Sequence, residues 1–235
     1  MDIDQTKIQE MMTHGLQYGH SKKRNNPKAN PYIISTKNNI KIINLEITYF
    51  KLKEAIEAMA DVLAKKGTIL FVSSFPSTRK PIKELAELLN QPYTANKWVG
   101  GLITNFKTIL GRIKYYVELK EKFEKNEFSK YTKKEQAVKQ KELEKLDFNF
   151  KGLVNLKKKP DMVFILDTGY NNIAMAEAKI AGAKIVGVFD NDDNPEIIDY
   201  PIPANDSSFS SVSYLTKEIG KSIQEKLAQK SEIIK

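Results

Sequence analysis

Three short runs of this chain, Thr68–Val72, Asp161–Leu166 and Lys184–Phe189, are apolar almost without interruption. A strand with one wet face alternates apolar and polar residues. A strand covered on both faces reads as a continuous apolar run. Each run is followed by a stretch with helical periodicity, at about residues 78–90, 171–182 and 208–229. Buried strands alternating with amphipathic helices predict an α/β fold, with a mostly parallel sheet, right-handed crossovers and helices on both faces. The 235 residues, 41% of them apolar, suffice for such a core.

The chain ahead of the first run follows a different pattern. Residues 4–13 suit a short helix, with Thr6 and Gln9 at capping-box spacing. Residues 14–31 read as loop, broken by Gly15, Gly19, Pro27 and Pro31. Tyr32–Thr36 and Ile40–Ile43 are β-branched runs around Lys37-Asn38-Asn39 and predict a hairpin. A long helix over about 46–66 is stopped by Gly67.

The strand–helix alternation breaks at 103–150. Phe106, Leu110, Ile113 and Val117 step at helical spacing, as do Leu143, Leu146 and Phe150, and Thr132 with Glu135 forms a capping box. Two amphipathic helices joined near Glu127–Tyr131 make a helical hairpin, each arm roughly 25–35 Å long at ~1.5 Å per residue. Its apolar positions are too few for a core of its own, so the expectation is a projecting hairpin; the alternative lays it flat on the sheet. The expected layout is one discontinuous α/β domain from 1–102 and 151–230, an inserted hairpin at 103–150, and a tail at 231–235.

Charge then speaks to partners. The formal net charge is +9, unevenly spread: residues 1–102 carry 15 Lys/Arg against 9 Asp/Glu, 103–160 carry 16 against 8, and 161–235 carry 7 against 12. A basic front and middle with an acidic end suggests one face for a polyanion. The densest signal is His20-Ser21-Lys22-Lys23-Arg24-Asn25-Asn26-Pro27-Lys28, with four cations, two amides and no acid. Such side chains neutralise phosphates and donate to phosphate or 2′-hydroxyl oxygens. A second segment, Asn96–Lys107, offers Lys97, Asn105 and Lys107 to phosphate. Its Trp98 reads as a packing anchor rather than a base-stacking platform, and Gly100-Gly101 as a tight turn or a point of close approach.

Enzyme chemistry finds little purchase. Cysteine is absent, and there is no G-x-G-x-x-G, phosphate-loop or G-x-S-x-G motif. His14 and His20 lack the Cys or acid neighbours that would complete a metal site, so neither metal nor cofactor is expected. Asp167 and Asp190 follow two buried runs, where open parallel sheets bind ligands. With Asp192 and Asp193 they keep open an alternative: a metal-dependent phosphoryl-transfer or nucleotide-binding enzyme. The competing reading makes them turn and cap residues. The start, Met1-Asp2-Ile3-Asp4, has no signal-peptide layout, and no run approaches a membrane span, so a cytoplasmic chain that avoids membranes is expected.

Several segments in order resemble the bacterial small-subunit ribosomal protein S-two family. They are His14-Gly15…Gly19-His20…Asn26-Pro27-Lys28, Asn38–Leu45, Trp98-Val99-Gly100-Gly101…Thr104-Asn105-Phe106, Leu143–Leu146, Pro160-Asp161 and Ile198–Asp206. The resemblance spans about residues 8–227. It implies a flavodoxin-like α/β domain with an inserted coiled-coil hairpin and a structural, non-enzymatic role in translation. It implies contacts with small-subunit rRNA and neighbouring ribosomal proteins, no self-association, and in many bacteria docking of the mRNA-binding protein S-one. The chain departs from the family at Lys97, usually Arg, at Asn25, often Trp, and at Ser73-Ser74-Phe75, which replaces a Gly-Thr-Lys/Arg stretch. It departs again at Asn171, usually Glu, Ala204, usually Gly, and Ser210, usually Arg.

Overall fold

A computed structural model describes residues 4–233. Its centre is a five-stranded, all-parallel sheet of β4 (Ile69–Val72), β5 (Tyr93–Thr94), β6 (Met162–Ile165), β7 (Lys184–Phe189) and β8 (Tyr200–Pro203). The order β5-β4-β6-β7-β8 is the flavodoxin-like doubly wound arrangement, with its switch point between β4 and β6. The three apolar runs occupy the three central positions. Along β4, Ile69 and Phe71 face one core while Leu70 and Val72 face the other. That split shows why the run cannot alternate. β5 and β8 were not expected as strands: one is two residues long, and the other carries Pro201 and Pro203, which suit an edge.

One face is covered by α2 (Leu45–Ala64), α3 (Arg79–Leu88) and α7 (Phe209–Ile233), with Met11 of α1 (Gln5–Thr13). The cluster on the other face gathers α6 (Asn172–Ile180), the Trp98–Ile103 segment, and buried residues of α4 (Phe106–Glu124) and α5 (Lys133–Phe150). No helix among the described residues is long and apolar enough to cross a membrane.

The front of the chain forms a second, antiparallel sheet in the order β1-β3-β2, from β1 (Tyr18–Ser21), β2 (Ile33–Lys37) and β3 (Ile40–Ile43). The hairpin between β2 and β3 turns through Asn38 and Asn39, both at positive φ, 49° and 63°. Asn tolerates that region better than most residues. β1 lies in the stretch read as loop, which also contains a 3-10 turn at Pro27–Tyr32. Four residues, one of them glycine, carry no period, and only pairing with β3 reveals the strand. The first helix is capped by Asp4, whose carboxylate accepts from the Thr6 and Lys7 amides, rather than by Thr6. The last helix runs on to Ile233, so the expected tail is helical as far as that residue. Residues 234 and 235, like the first three, lie outside the described residues.

In α4 the buried positions are Ile109, Ile113, Tyr116 and Leu119, while Phe106, Leu110 and Val117 of the expected stripe are half-buried. Helix α5 buries Leu146 and Phe150 and begins at the Thr132/Glu135 capping box. The two helices are joined by Tyr116 Oη donating to Asp147 (2.6 Å) and Tyr115 Oη to Glu142 (2.8 Å).

Gly187 shows how tightly the second face is packed. A Cβ there would lie 2.9 Å from Thr168 Cγ2 and 3.0 Å from Ile198 Cδ1. Gly187→Leu should therefore destabilise the fold by about 1–3 kcal/mol through overpacking. A urea melt should show a lower midpoint with the same slope.

Candidate nucleic-acid interface

The loop after β1 is basic in sequence and tied down in space. Asn26 Oδ1 accepts from the Lys28 amide (3.1 Å) and opens the 3-10 turn, and Asn25 Nδ2 donates to Asn30 Oδ1 (3.1 Å). The segment after β7 supplies the other anchors. Asn191 Oδ1 accepts from the His20 amide (2.5 Å), Asn191 Nδ2 donates to the Arg24 carbonyl (2.6 Å), and the Asn26 amide donates to the Asn191 carbonyl (2.7 Å). Asp190, 2% exposed, accepts from His20 Nδ1 at 2.7 Å. Gly19 makes this approach possible, since a Cβ would stand 2.5 Å from Asn191 Oδ1 and 2.7 Å from Asp190 Oδ1. The hydrogen bond to Asp190 lifts the His20 pKa above its ordinary value against the effect of burial. The charges of Asp190 and Asp192 add to the rise and Arg24 opposes it.

This docking also changes the charge balance. The loop has no acid of its own, but acids reach it from 192–196: Arg24 Nη2 lies 3.0 Å from Asp192, and Lys28 pairs with Glu196. Lys22 and Lys23 are exposed, and neither pairs with an acid among the described residues.

The Trp98–Thr104 segment is organised around one carboxylate. Glu177 lies on α6 and is 6% exposed. Its Oε1 accepts from Trp98 Nε1 (2.9 Å) and the Gly101 amide (2.7 Å). Its Oε2 accepts from the amides of Ile103 (3.1 Å) and Thr104 (3.2 Å) and from Thr104 Oγ1 (3.0 Å). Burial alone would push this carboxyl up, yet the bonds from Trp98, Gly101, Thr104 and Ile103 together hold it below its ordinary value. Gly101 takes φ +84°, which favours glycine, whereas a Cβ on Gly100 would meet nothing within 4 Å. Lys97, Asn105 and Lys107 are exposed, with Asn105 Oδ1 accepting from Thr108 Oγ1 (2.9 Å). Sequence reasoning missed Glu177. The available signal was an acid among the buried Ala174, Met175 and Ala178 of one helix.

The acids at the strand ends are occupied by the fold. Asp167 Oδ2 accepts from the amides of Ser74 (2.9 Å) and Phe75 (2.7 Å) and from Ser73 Oγ (3.3 Å), and its Oδ1 accepts from Asn171. Even so, burial raises its pKa. Burial, with the charge of Asp192 adding, brings Asp193 up to about 6 despite its bond from Thr168 Oγ1 (2.5 Å). Asp206 is pushed well above the carboxylate range by burial. Among the described residues no group of His, Cys, Asp or Glu is arranged to hold a metal ion.

Glu177→Ala should leave buried donors without an acceptor and destabilise the protein by roughly 3 kcal/mol or more in a urea melt at neutral pH. The depressed pKa adds stability that is complete above the unfolded value of 4.5 and is lost as pH falls through the lower folded value. Stability–pH curves of the wild type should show that acid-side loss, and Glu177→Gln should lack it.

A model of the family described as Ribosomal protein S2 matches residues 11–226. The chain is 37% identical over 218 residues to the small ribosomal subunit protein uS2 of Coprothermobacter proteolyticus, spanning 93% of this chain and 81% of that protein. It is 36% identical over 216 residues to the protein of the same name from Buchnera aphidicola subsp. Schizaphis graminum, spanning 92% of this chain and 88% of that one.

Proposed function

The chain belongs to the ribosomal protein S2 family, and on that premise we propose that it binds small-subunit rRNA through its docked basic loop. Its role is that of a structural component of the small ribosomal subunit, and it is not an enzyme. The phosphoryl-transfer alternative built on Asp167 and Asp190 is therefore set aside.

The observation that carries the proposal is the pairing of a rigid base with free charge. The His20 ring and the backbone at His20, Arg24 and Asn26 hold the loop to the Asp190–Asn191 segment of the sheet domain, while Lys22 and Lys23 stand exposed without acid partners among the described residues. A preformed loop has little ordering cost left to meet on binding. Arg24 and Lys28 join the contact by exchanging Asp192 and Glu196 for phosphate, since exposed ion pairs are held by only ~0–1 kcal/mol. Lys97, Asn105 and Lys107 form a second contact, set by the turn that Trp98 and Gly101 anchor. Neighbouring ribosomal proteins, and the mRNA-binding protein S-one where a cell has one, are the protein partners. The chain works ribosome-bound in the cytoplasm, and as a single copy.

If roughly six phosphates are neutralised, affinity for small-subunit rRNA should fall on the order of a thousandfold between ~50 and ~200 mM salt. Lys22→Gln with Lys23→Gln should lower the salt slope by ~1.8 and leave the thermal melt nearly unchanged. A flat salt response, or an unchanged slope, would count against the loop.

The 103–150 stretch acts in this reading as an inserted coiled-coil hairpin that projects from one discontinuous α/β domain. The bonds from Tyr115 and Tyr116 to α5 support arms that pack on each other. Replacing Lys114–Lys141 with a short Gly/Ser linker should leave a folded domain with a cooperative melt and weaker subunit binding. A molten or insoluble product in circular dichroism would show that the hairpin belongs to the core.

A further inference from the structure

Two glycines have no reason inside the fold. Of the eleven in the chain, nine take a positive φ or have an atom within 3.0 Å of where a Cβ would stand. Gly100 and Gly111 have neither. Gly111 is the more costly, because it sits inside α4, exposed, where Ala would hold the helix better. A glycine that the free protein would be better without is explained by something outside it that must come close to the backbone.

The surroundings identify the kind of visitor. The sequence holds no Asp or Glu between Glu87 and Glu118, and both unexplained glycines fall in that interval. Lys107, Gly111 and Lys114 are spaced i, i+4, i+7 and share the face of α4 opposite the buried Ile109, Ile113 and Tyr116. Both lysines are exposed, and neither pairs with an acid among the described residues. Arg112 lies further round the helix, towards Glu142 of α5, and Glu118 bounds this face one turn on. The result is a shallow saddle with a cation on each side of a bare stretch of helix backbone. A phosphodiester backbone fits it. Lysines act there as point charges on phosphate, and a missing side chain admits the ribose–phosphate chain.

We infer that the exposed face of α4 around Gly111 seats an RNA backbone, with Lys107 and Lys114 on phosphates either side. This rests on the rRNA-binding reading and extends it from the loop after β1 to a second surface on the hairpin.

Gly111→Leu is the decisive variant, because its side chain enters empty space and leucine favours helix. Gly111→Ala should raise the melting temperature by ~2–4 °C, and Gly111→Leu should melt no lower than wild type. Gly111→Leu should bind small-subunit rRNA at least ~10-fold more weakly, and Lys107→Gln with Lys114→Gln should reduce the salt slope by ~1.8. Wild-type affinity in Gly111→Leu overturns the inference. So does normal rRNA binding combined with failed entry into subunits depleted of this protein, because the face would then be a protein contact. If Lys22→Gln with Lys23→Gln weakens binding while the α4 variants do not, the loop reading stands and this one falls. If no variant changes affinity or salt slope, both fall.

Discussion

Burial of β4, β6 and β7 on both faces is the constraint from which the rest of the structure follows. Helices α2, α3 and α7 close one side of the sheet, while α6, the Trp98–Ile103 segment and buried residues of α4 and α5 close the other. Both faces of the parallel sheet are thereby covered, which leaves the strand ends, the added antiparallel sheet and the outer faces of helices for contacts with other molecules. The carboxyl ends, where doubly wound folds usually take ligands, are themselves filled, because the loop after β1 is bound to the Asp190–Asn191 segment there. The fold has used the position of an active site to mount a basic loop.

Two polar networks make that use possible, and both rest on a buried carboxylate. Asp190 and Asn191 hold His20 and the loop backbone. Glu177 gathers Trp98 and three backbone amides into the turn that leads to α4. Five donors make Glu177 tolerable in the core without a cation, since a buried charge must otherwise neutralise or find a counter-ion. Asp206, whose one side-chain donor among the described residues is the Ser207 hydroxyl, has the opposite outcome: burial drives it towards its neutral form. The contrast follows from the number of donors each carboxylate meets.

Local sequence was enough for the fold class, because short continuous apolar runs bounded by turn residues suit strands covered on both sides. It determined the β2–β3 turn through Asn38 and Asn39, and the start of α5 through Thr132 and Glu135, because these signals act within a few residues. It marked Lys22, Lys23, Lys97 and Lys107 as a charged set. Tertiary structure alone decided which cations stay free. Asp192 and Glu196 are more than 160 residues from the loop they neutralise, and no local pattern announces that meeting. Strand β1 was equally hidden, since its four residues become a strand only by pairing with β3. The same reason covers Glu177, Asp190 and the open space at Gly111. Burial, hydrogen-bond count and steric room depend on neighbours distant in sequence, and they exist only once the chain has folded.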